Sequence, residues 1–289
     1  MTKVSKPNVL YFDIETLPLK CFFWQPGTQY VGHKNMLPSH DMWGLICIQY
    51  AVNDGPVKVL RYDKHGGTRG MIEKFDKLVS ESDYILGKNS DRFDVKMLTA
   101  MRMMCDLPAM TGWEKYTEDL ERHMRRYFRL PSQSLDYISK KMGVGGKVSM
   151  QMSDWIEISN MKELQDLKAS GVDSKSLNKV SKHLFQEKAS EVFKLGKASL
   201  HKMCTYGAKD TDDTRVLWKK LLPHFDPKFN AAKFNNLKHA CKHCASENII
   251  PVKHKQAGKT TYQVYKCGDC SQYAGRAPVS AKGTIGQIG

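Results

Sequence analysis

Acidic residues are in short supply in this chain. Its 289 residues include 30 Asp or Glu against 45 Lys or Arg, a formal net charge of +15. Long apolar runs are missing too. None approaches the ~18–20 residues a membrane span requires, which argues against a membrane protein. The opening Met1-Thr2-Lys3-Val4-Ser5-Lys6-Pro7 holds no apolar core of the kind a secretion signal needs, so the expected location is the cytoplasm. Disorder-promoting bias is absent as well: 41% of residues are hydrophobic and 26% charged, a globular composition. The length suits one large domain, or one domain with a small appendage.

The surplus of positive charge bears on partners and not on fold. Polyphosphate is the leading candidate, because neutralising phosphates releases condensed counterions. Nucleic acid is therefore the expected partner, against the plainer alternative of a solvated basic surface. The eight cysteines fall into two groups. Cys21, Cys47, Cys105 and Cys204 are scattered and read as reduced core residues. Cys241, Cys244, Cys267 and Cys270 come in two pairs and read as metal ligands.

Hydrophobic patterning predicts strands over 9–15, 45–52 and 57–62, the last two joined by the turn Asn53-Asp54-Gly55-Pro56. Helical spacing runs from Met71 to Ser80. A short strand, Tyr84-Ile85-Leu86, ends at Gly87, and Ser90 is placed to cap a helix from Asp91 to about Met104. Gln133 to Lys141 and the long stretch His201 to Leu222 also read as helices, the latter stopped by Pro223. Strands followed by alternating strand and helix predict a mixed α/β sheet covered by helices. The charged segment 157–200 is expected to form one or two amphipathic helices, with Leu177, Val180 and Leu184 at helical spacing. It would either guide a bound strand or lie on the surface.

Asp13 and Glu15 stand two apart on the first strand, so their carboxylates share a face. Two neighbouring carboxylates repel, and one takes up a proton unless a cation lies between them. Oxygen ligands suit Mg²⁺ or Mn²⁺; a strand end emerging into water is the plainer alternative. Asp94 falls in the first turn of the second helix, where it also suits the helix dipole. Tyr206 and Asp210 are four apart on the long helix and share one face.

Taken in order, Tyr11-Phe12-Asp13-Ile14-Glu15-Thr16, Asn89-Ser90-Asp91-Arg92-Phe93-Asp94 and Tyr206-Gly207-Ala208-Lys209-Asp210 resemble the three motifs of the DEDD 3′–5′ exonucleases. Tyrosine in the third motif matches the DEDDy branch. Leu130 to Asp136 with Met142 to Lys147 is similar to the segment between the second and third motifs, as in the exonuclease domain of family B DNA polymerases and its stand-alone phage and bacterial relatives. The resemblance covers about residues 7–225 and implies a ribonuclease H-like fold and two-metal phosphodiester hydrolysis.

Carried over, it implies that Asp13, Glu15 and Asp210 hold one Mg²⁺ or Mn²⁺, with Asp13 bridging to a second ion that Asp94 supports. Tyr206 would orient the attacking water. Thr16, Leu17, Asn89 and Phe93 would meet the terminal nucleotide, and Lys147 a phosphate. Phe93 is equally placed to be a core residue. The implied substrate is a single-stranded DNA 3′ end, with RNA the runner-up. Replication or recombination proteins are implied partners, and no membrane. A nucleic-acid-binding adaptor on a degenerate nuclease fold and an endonuclease on the same fold remain open. No polymerase domain accompanies the motifs, so proofreading in cis is not expected.

Cys241-Lys242-His243-Cys244 and Cys267-Gly268-Asp269-Cys270 have the two-knuckle spacing of a tetrahedral structural zinc site. So small a module lacks the core to fold alone, and one Zn²⁺ would supply the folding energy. His239, His243 and His254 are bystanders, since four thiolates complete the shell. The glycine usual after each knuckle is replaced by Ala245 and Ser271. The expected organisation is thus a nuclease domain over 1–225, a basic linker over 226–240, a zinc ribbon over 241–276 and a disordered tail over 277–289. Residues 226–289 hold ten Lys or Arg against three Asp or Glu, interleaved with Tyr262, Tyr265 and Tyr273. That pattern suits nucleic-acid backbone and base contacts, although Tyr265 reads better as ribbon core.

Overall fold

The computed structural model describes residues 4–21, 28, 30–32, 36, 43–109, 117–145, 149–171 and 188–279. Strands β1 (Val9–Thr16), β2 (Leu45–Val52), β3 (Lys58–Arg61), β4 (Tyr84–Gly87) and β5 (Thr117–Asp119) form one sheet in the order β3-β2-β1-β4-β5. β1 pairs in parallel with β4, and β4 with β5, while β2 is antiparallel to both its neighbours. This is the mixed, ribonuclease H-like sheet that the sequence leads one to expect. β1 is apolar on both faces because both are covered. Leu10, Phe12 and Ile14 join one core with Phe75, Met101, Met161 and Met203, and Val9 and Tyr11 join another with Leu120, Met124 and Trp218. Cys47 and Cys204 are buried, whereas Cys21 and Cys105 are only partly so, and all are free thiols.

Helices flank the sheet: α1 (Gly67–Ser80), α2 (Asp94–Met104), α3 (Leu120–Tyr127), α4 (Leu135–Lys141), α5 (Met152–Ala169) and α6 (Ala189–Leu221). Three departures from the sequence pattern matter. Ser90 caps nothing: α2 begins at Asp94, with Phe93 at its cap position and no side-chain capping bond. β5 and α3 escape hydrophobic analysis because the buried strand is Thr117-Glu118-Asp119, polar throughout. The long helix starts at Ala189 and not at His201, since nothing before Pro223 interrupts it. Leu177, Val180 and Leu184 lie outside the described residues. Within segment 157–200, Ile158, Met161, Leu164 and Leu200 are buried, so its described helical parts lay one face on the core, as amphipathic helices do.

The stretch after α6 is folded onto the body built around the five-stranded sheet. Glu118, itself buried, accepts the backbone N–H of Lys228 (2.5 Å) and Phe229 (3.1 Å), and a short helix, Ala231–Phe234, buries Ala231 and Ala232. A second sheet follows, β6 (Ile249–Ala257), β7 (Thr260–Cys267) and β8 (Tyr273–Pro278), in the order β6-β7-β8. β8 carries the sheet to Pro278, past the expected end at 276; residues 280–289 lie outside the described residues.

Candidate active site and metal centre

Asp13 and Glu15 extend the row begun by Val9 and Tyr11, near the carboxyl end of β1. Beside them β4 ends at Gly87, where a Cβ would lie 2.6 Å from Cβ of Ser90 and 3.1 Å from the Phe12 carbonyl. Only glycine lets the chain turn so tightly against β1. Asn89 follows in the left-handed region, φ 60°. The turn is held by Asp119, whose carboxylate accepts the N–H of Asn89 (2.9 Å) and Asp91 (3.2 Å) while capping α3 through Glu121 N–H (2.9 Å). That turn delivers Asp94, 3% exposed, to the end of β1, where it accepts the Ile14 N–H at 3.1 Å.

The third contribution comes from α6. Tyr206 and Asp210 share its inward face, one turn apart. Asp212 and Asp213, in the same acidic run, are engaged elsewhere, with Arg215 and Lys209 respectively. A cleft of about 320 Å³ results, lined by Asp13, Glu15, Asn89, Phe93, Asp94, Tyr206 and Asp210 among others. Phe93 is 41% exposed at this cleft and is not a core residue. Thr16 and Leu17 do not line it: Leu17 donates to the Gly44 carbonyl (2.7 Å) and packs on the core. Lys147 lies outside the described residues.

Burial and mutual repulsion govern the ionisation of the acids in this cleft. Burial, followed by repulsion from Asp94, Glu15 and Asp210, holds the Asp13 carboxyl well above its ordinary range, and Lys88 opposes this only in part. Burial pushes Asp94 up to about 7 despite the Ile14 N–H. Burial and the Asp210 carboxylate, to which Tyr206 is hydrogen-bonded, raise the phenol far above its usual value. Tyr206 therefore stays protonated at neutral pH and can orient a ligand but not abstract a proton. The oxygen donors fit Mg²⁺ or Mn²⁺. Among the described residues, no three of these carboxylates bring oxygens within 4.8 Å of one another, so holding one ion among three of them requires their side chains to rotate inward.

The four cysteines of the C-terminal unit do form a cage. Their Sγ atoms lie within 4.8 Å of one another, and Cys241–Cys270 and Cys244–Cys267 are each 3.6 Å apart. A tetrahedron with ~2.3 Å Zn–S bonds has edges of roughly 3.8 Å, so the donor set fits zinc. The two knuckles repeat one geometry. The N–H of Cys241 bonds to the Ser246 carbonyl and that of Cys267 to the Gln272 carbonyl, each at 2.8 Å. Ala245 (φ 58°) and Ser271 (φ 60°) adopt the left-handed conformation in which glycine is usual. Tyr265 is buried behind the cluster with Ala274 and Ala277, a core too small to hold the unit without metal.

No protein-family model and no curated protein matches the chain. Among solved structures it resembles the family B DNA polymerase from the hyperthermophilic archaeon Pyrobaculum calidifontis, at 17% identity and a TM-score of 0.47. The match covers 76% of this chain and 25% of the polymerase chain, so the chain spans about a quarter of the polymerase's length. Among the described residues, no helix is long and apolar enough to cross a membrane.

The cleft is also lined by Lys88 and Thr214, which no sequence pattern marks, and by Ser134 and Leu135, which lie in the Leu130–Asp136 segment but are assigned no site role by it. Lys88 is ion-paired with Glu121 at 2.7 Å, and Ser134 caps α4. The Ser-x-x-Tyr spacing at 134–137 carries a weak capping signal. For Lys88 there is none, because its position depends on the Gly87 turn.

Proposed function

We propose that the chain is a divalent-cation-dependent 3′–5′ exonuclease acting on single-stranded DNA. The observation that carries this is the convergence of Asp13, Glu15, Asp94, Tyr206 and Asp210, from three distant segments, on one predominantly acidic cleft. In this reading Asp13, Glu15 and Asp210 hold one Mg²⁺ or Mn²⁺, and Asp94 with Asp13 holds a second. Bound cations would stabilise charge on the attacking and leaving oxygens of an in-line displacement.

The chain's own residues set the geometry. Tyr206, a neutral phenol, fixes the attacking water by hydrogen bonding. Asn89 and Phe93 line the position of the terminal nucleotide, Phe93 offering an exposed ring to a base. Lys88 adds a positive charge at the phosphate's side of the cleft. We assign the fold up to about residue 225 to this nuclease unit and the four cysteines to a structural zinc site.

The test is an end-labelled oligonucleotide incubated with Mg²⁺, with Mn²⁺ and without divalent cation. Stepwise shortening from a free 3′ end, blocked by a 3′ cap and abolished by Asp13→Ala, is expected. A circular single strand should survive, and a parallel RNA substrate measures the sugar preference. Undiminished cleavage by Asp13→Ala would remove the proposal.

A further inference from the structure

The three-stranded sheet of the cysteine unit has two unlike faces. Along β7, Gln263, Tyr265 and Cys267 are buried, while Tyr262, Val264 and Lys266 turn to the other face. Register places Lys253 and Arg276 on either side of Val264, Lys255 opposite Tyr262 and Tyr273 opposite Lys266. Four cations thus share one exposed face. From Ile249 to Cys267 and from Tyr273 to Pro278 there is no Asp or Glu. Among the described residues none of the four forms an ion pair; the nearby Lys242 does, with Asp226. Lys253, His254, Lys255, Val264, Tyr273 and Arg276 surround a hollow of about 390 Å³.

Like charges gathered on one face repel and oppose folding, and the zinc cage needs none of them. A bound polyanion turns that repulsion into attraction and releases its own counterions. The aromatic content narrows the partner. Arg276 lies over the Tyr262 ring at 4.3 Å and Lys242 over Tyr273 at 4.6 Å, with Tyr273 still 42% exposed. Rings set among cations suit a strand whose bases are unstacked and free to lie against them. A duplex hides its base faces, and an acidic peptide has none.

We infer that this face is a second binding surface for single-stranded nucleic acid, with Lys253, Lys255, Lys266 and Arg276 on the phosphodiester backbone and Tyr262 and Tyr273 against bases. It extends the proposed nuclease reading but uses no residue of the cleft.

The test uses the full, zinc-loaded chain carrying Asp13→Ala, without chelator, and labelled oligo-dT in an anisotropy titration. Reversal of Lys253→Glu, Lys255→Glu and Arg276→Glu together should weaken binding at least about tenfold. At ~0.7 per phosphate contact, the log–log salt slope should fall by about 2. The reversals Lys74→Glu and Lys77→Glu on α1 should do much less than the equal-charge pair Lys253→Glu and Lys255→Glu. Oligo-U should show the same loss, because the backbone is what is read, and polyglutamate should compete poorly. Zinc content should not change. Unaltered affinity and slope, an equal loss from the α1 reversals, or displacement by polyglutamate as effective as by oligo-dT would overturn the inference. Cleavage is scored separately, with Asp13 intact, on a dinucleotide: its absence would count against the nuclease reading and leave the binding result standing.

Discussion

A Cβ on Gly207 would lie 2.2 Å from Nε2 of Gln49, the buried β2 residue directly opposite Asp13. Glycine at this point lets α6 settle onto the sheet close enough for Tyr206 and Asp210 to reach the carboxylates of β1. Gly207→Ala should therefore push α6 outward, costing about 1–3 kcal/mol of stability and on the order of 10²-fold in kcat. Adding Gln49→Ala should restore part of both. Urea denaturation and single-turnover kinetics of both singles and the double give the coupling; strict additivity would refute the contact.

Asp119 accepts four backbone N–H groups, those of Asn89, Asp91, Glu121 and Arg122. Asp119→Ala removes the α3 cap and leaves the Asn89 and Asp91 N–H groups unpaired, a loss of about 2–3 kcal/mol. Because Asn89 lines the cleft, KM should rise as well. Asp119→Asn, which keeps one acceptor oxygen, should fall between. Equal stability of wild type and Asp119→Ala by urea titration would contradict this role.

Tyr206→Phe removes the hydroxyl but keeps the buried ring. In the proposed mechanism the phenol acts on the water and not on substrate binding, so kcat should fall by roughly 10–100-fold with KM little changed. The pH profile should keep its shape up to about pH 9, because a phenol held neutral contributes no titration there. A lost alkaline limb in Tyr206→Phe would show the tyrosine acting as a base.

The raised carboxylates make cation binding depend on pH. Asp94 titrates at about 7 in the fold, against ~3.9 when unfolded. Between those values the native state holds a proton that the unfolded chain lacks, so cation-free stability falls as pH rises through that window. Mg²⁺ binds the ionised form, so its stabilisation should be small near pH 5 and large near pH 8. Thermal melts with and without Mg²⁺ at both pH values measure it. An equal Tm shift at both would place the cation elsewhere.

Ser271 is exposed and holds φ 60° without being glycine. Ser271→Gly should relieve strain of about 0.5–1 kcal/mol after the entropy of glycine is counted, tightening zinc roughly two- to fivefold. Competition against a chromophoric chelator reads the change. Weaker zinc binding would mean that the serine side chain itself supports the knuckle.

Local chemistry was enough to identify β1 to β4, the two cysteine pairs and the acidic motifs. β-branched and aromatic runs at Val9 and Leu45, paired thiols, and the order Asp13–Glu15, Asp94, Tyr206–Asp210 are all written over short distances. Tertiary structure alone decided what depends on partners far along the chain. β5 is a strand because Glu118 and Asp119 find backbone donors at Lys228 and Asn89; a polar tripeptide has no propensity that announces it. Ser90 looks like a cap until the Gly87 turn folds it inward. Lys88, Ser134 and Thr214 enter the cleft only once the sheet brings their elements together. The basic face of the ribbon follows the same rule: its cations are scattered in sequence, and it is the β6-β7-β8 register, with side chains alternating about each strand, that gathers them on one side.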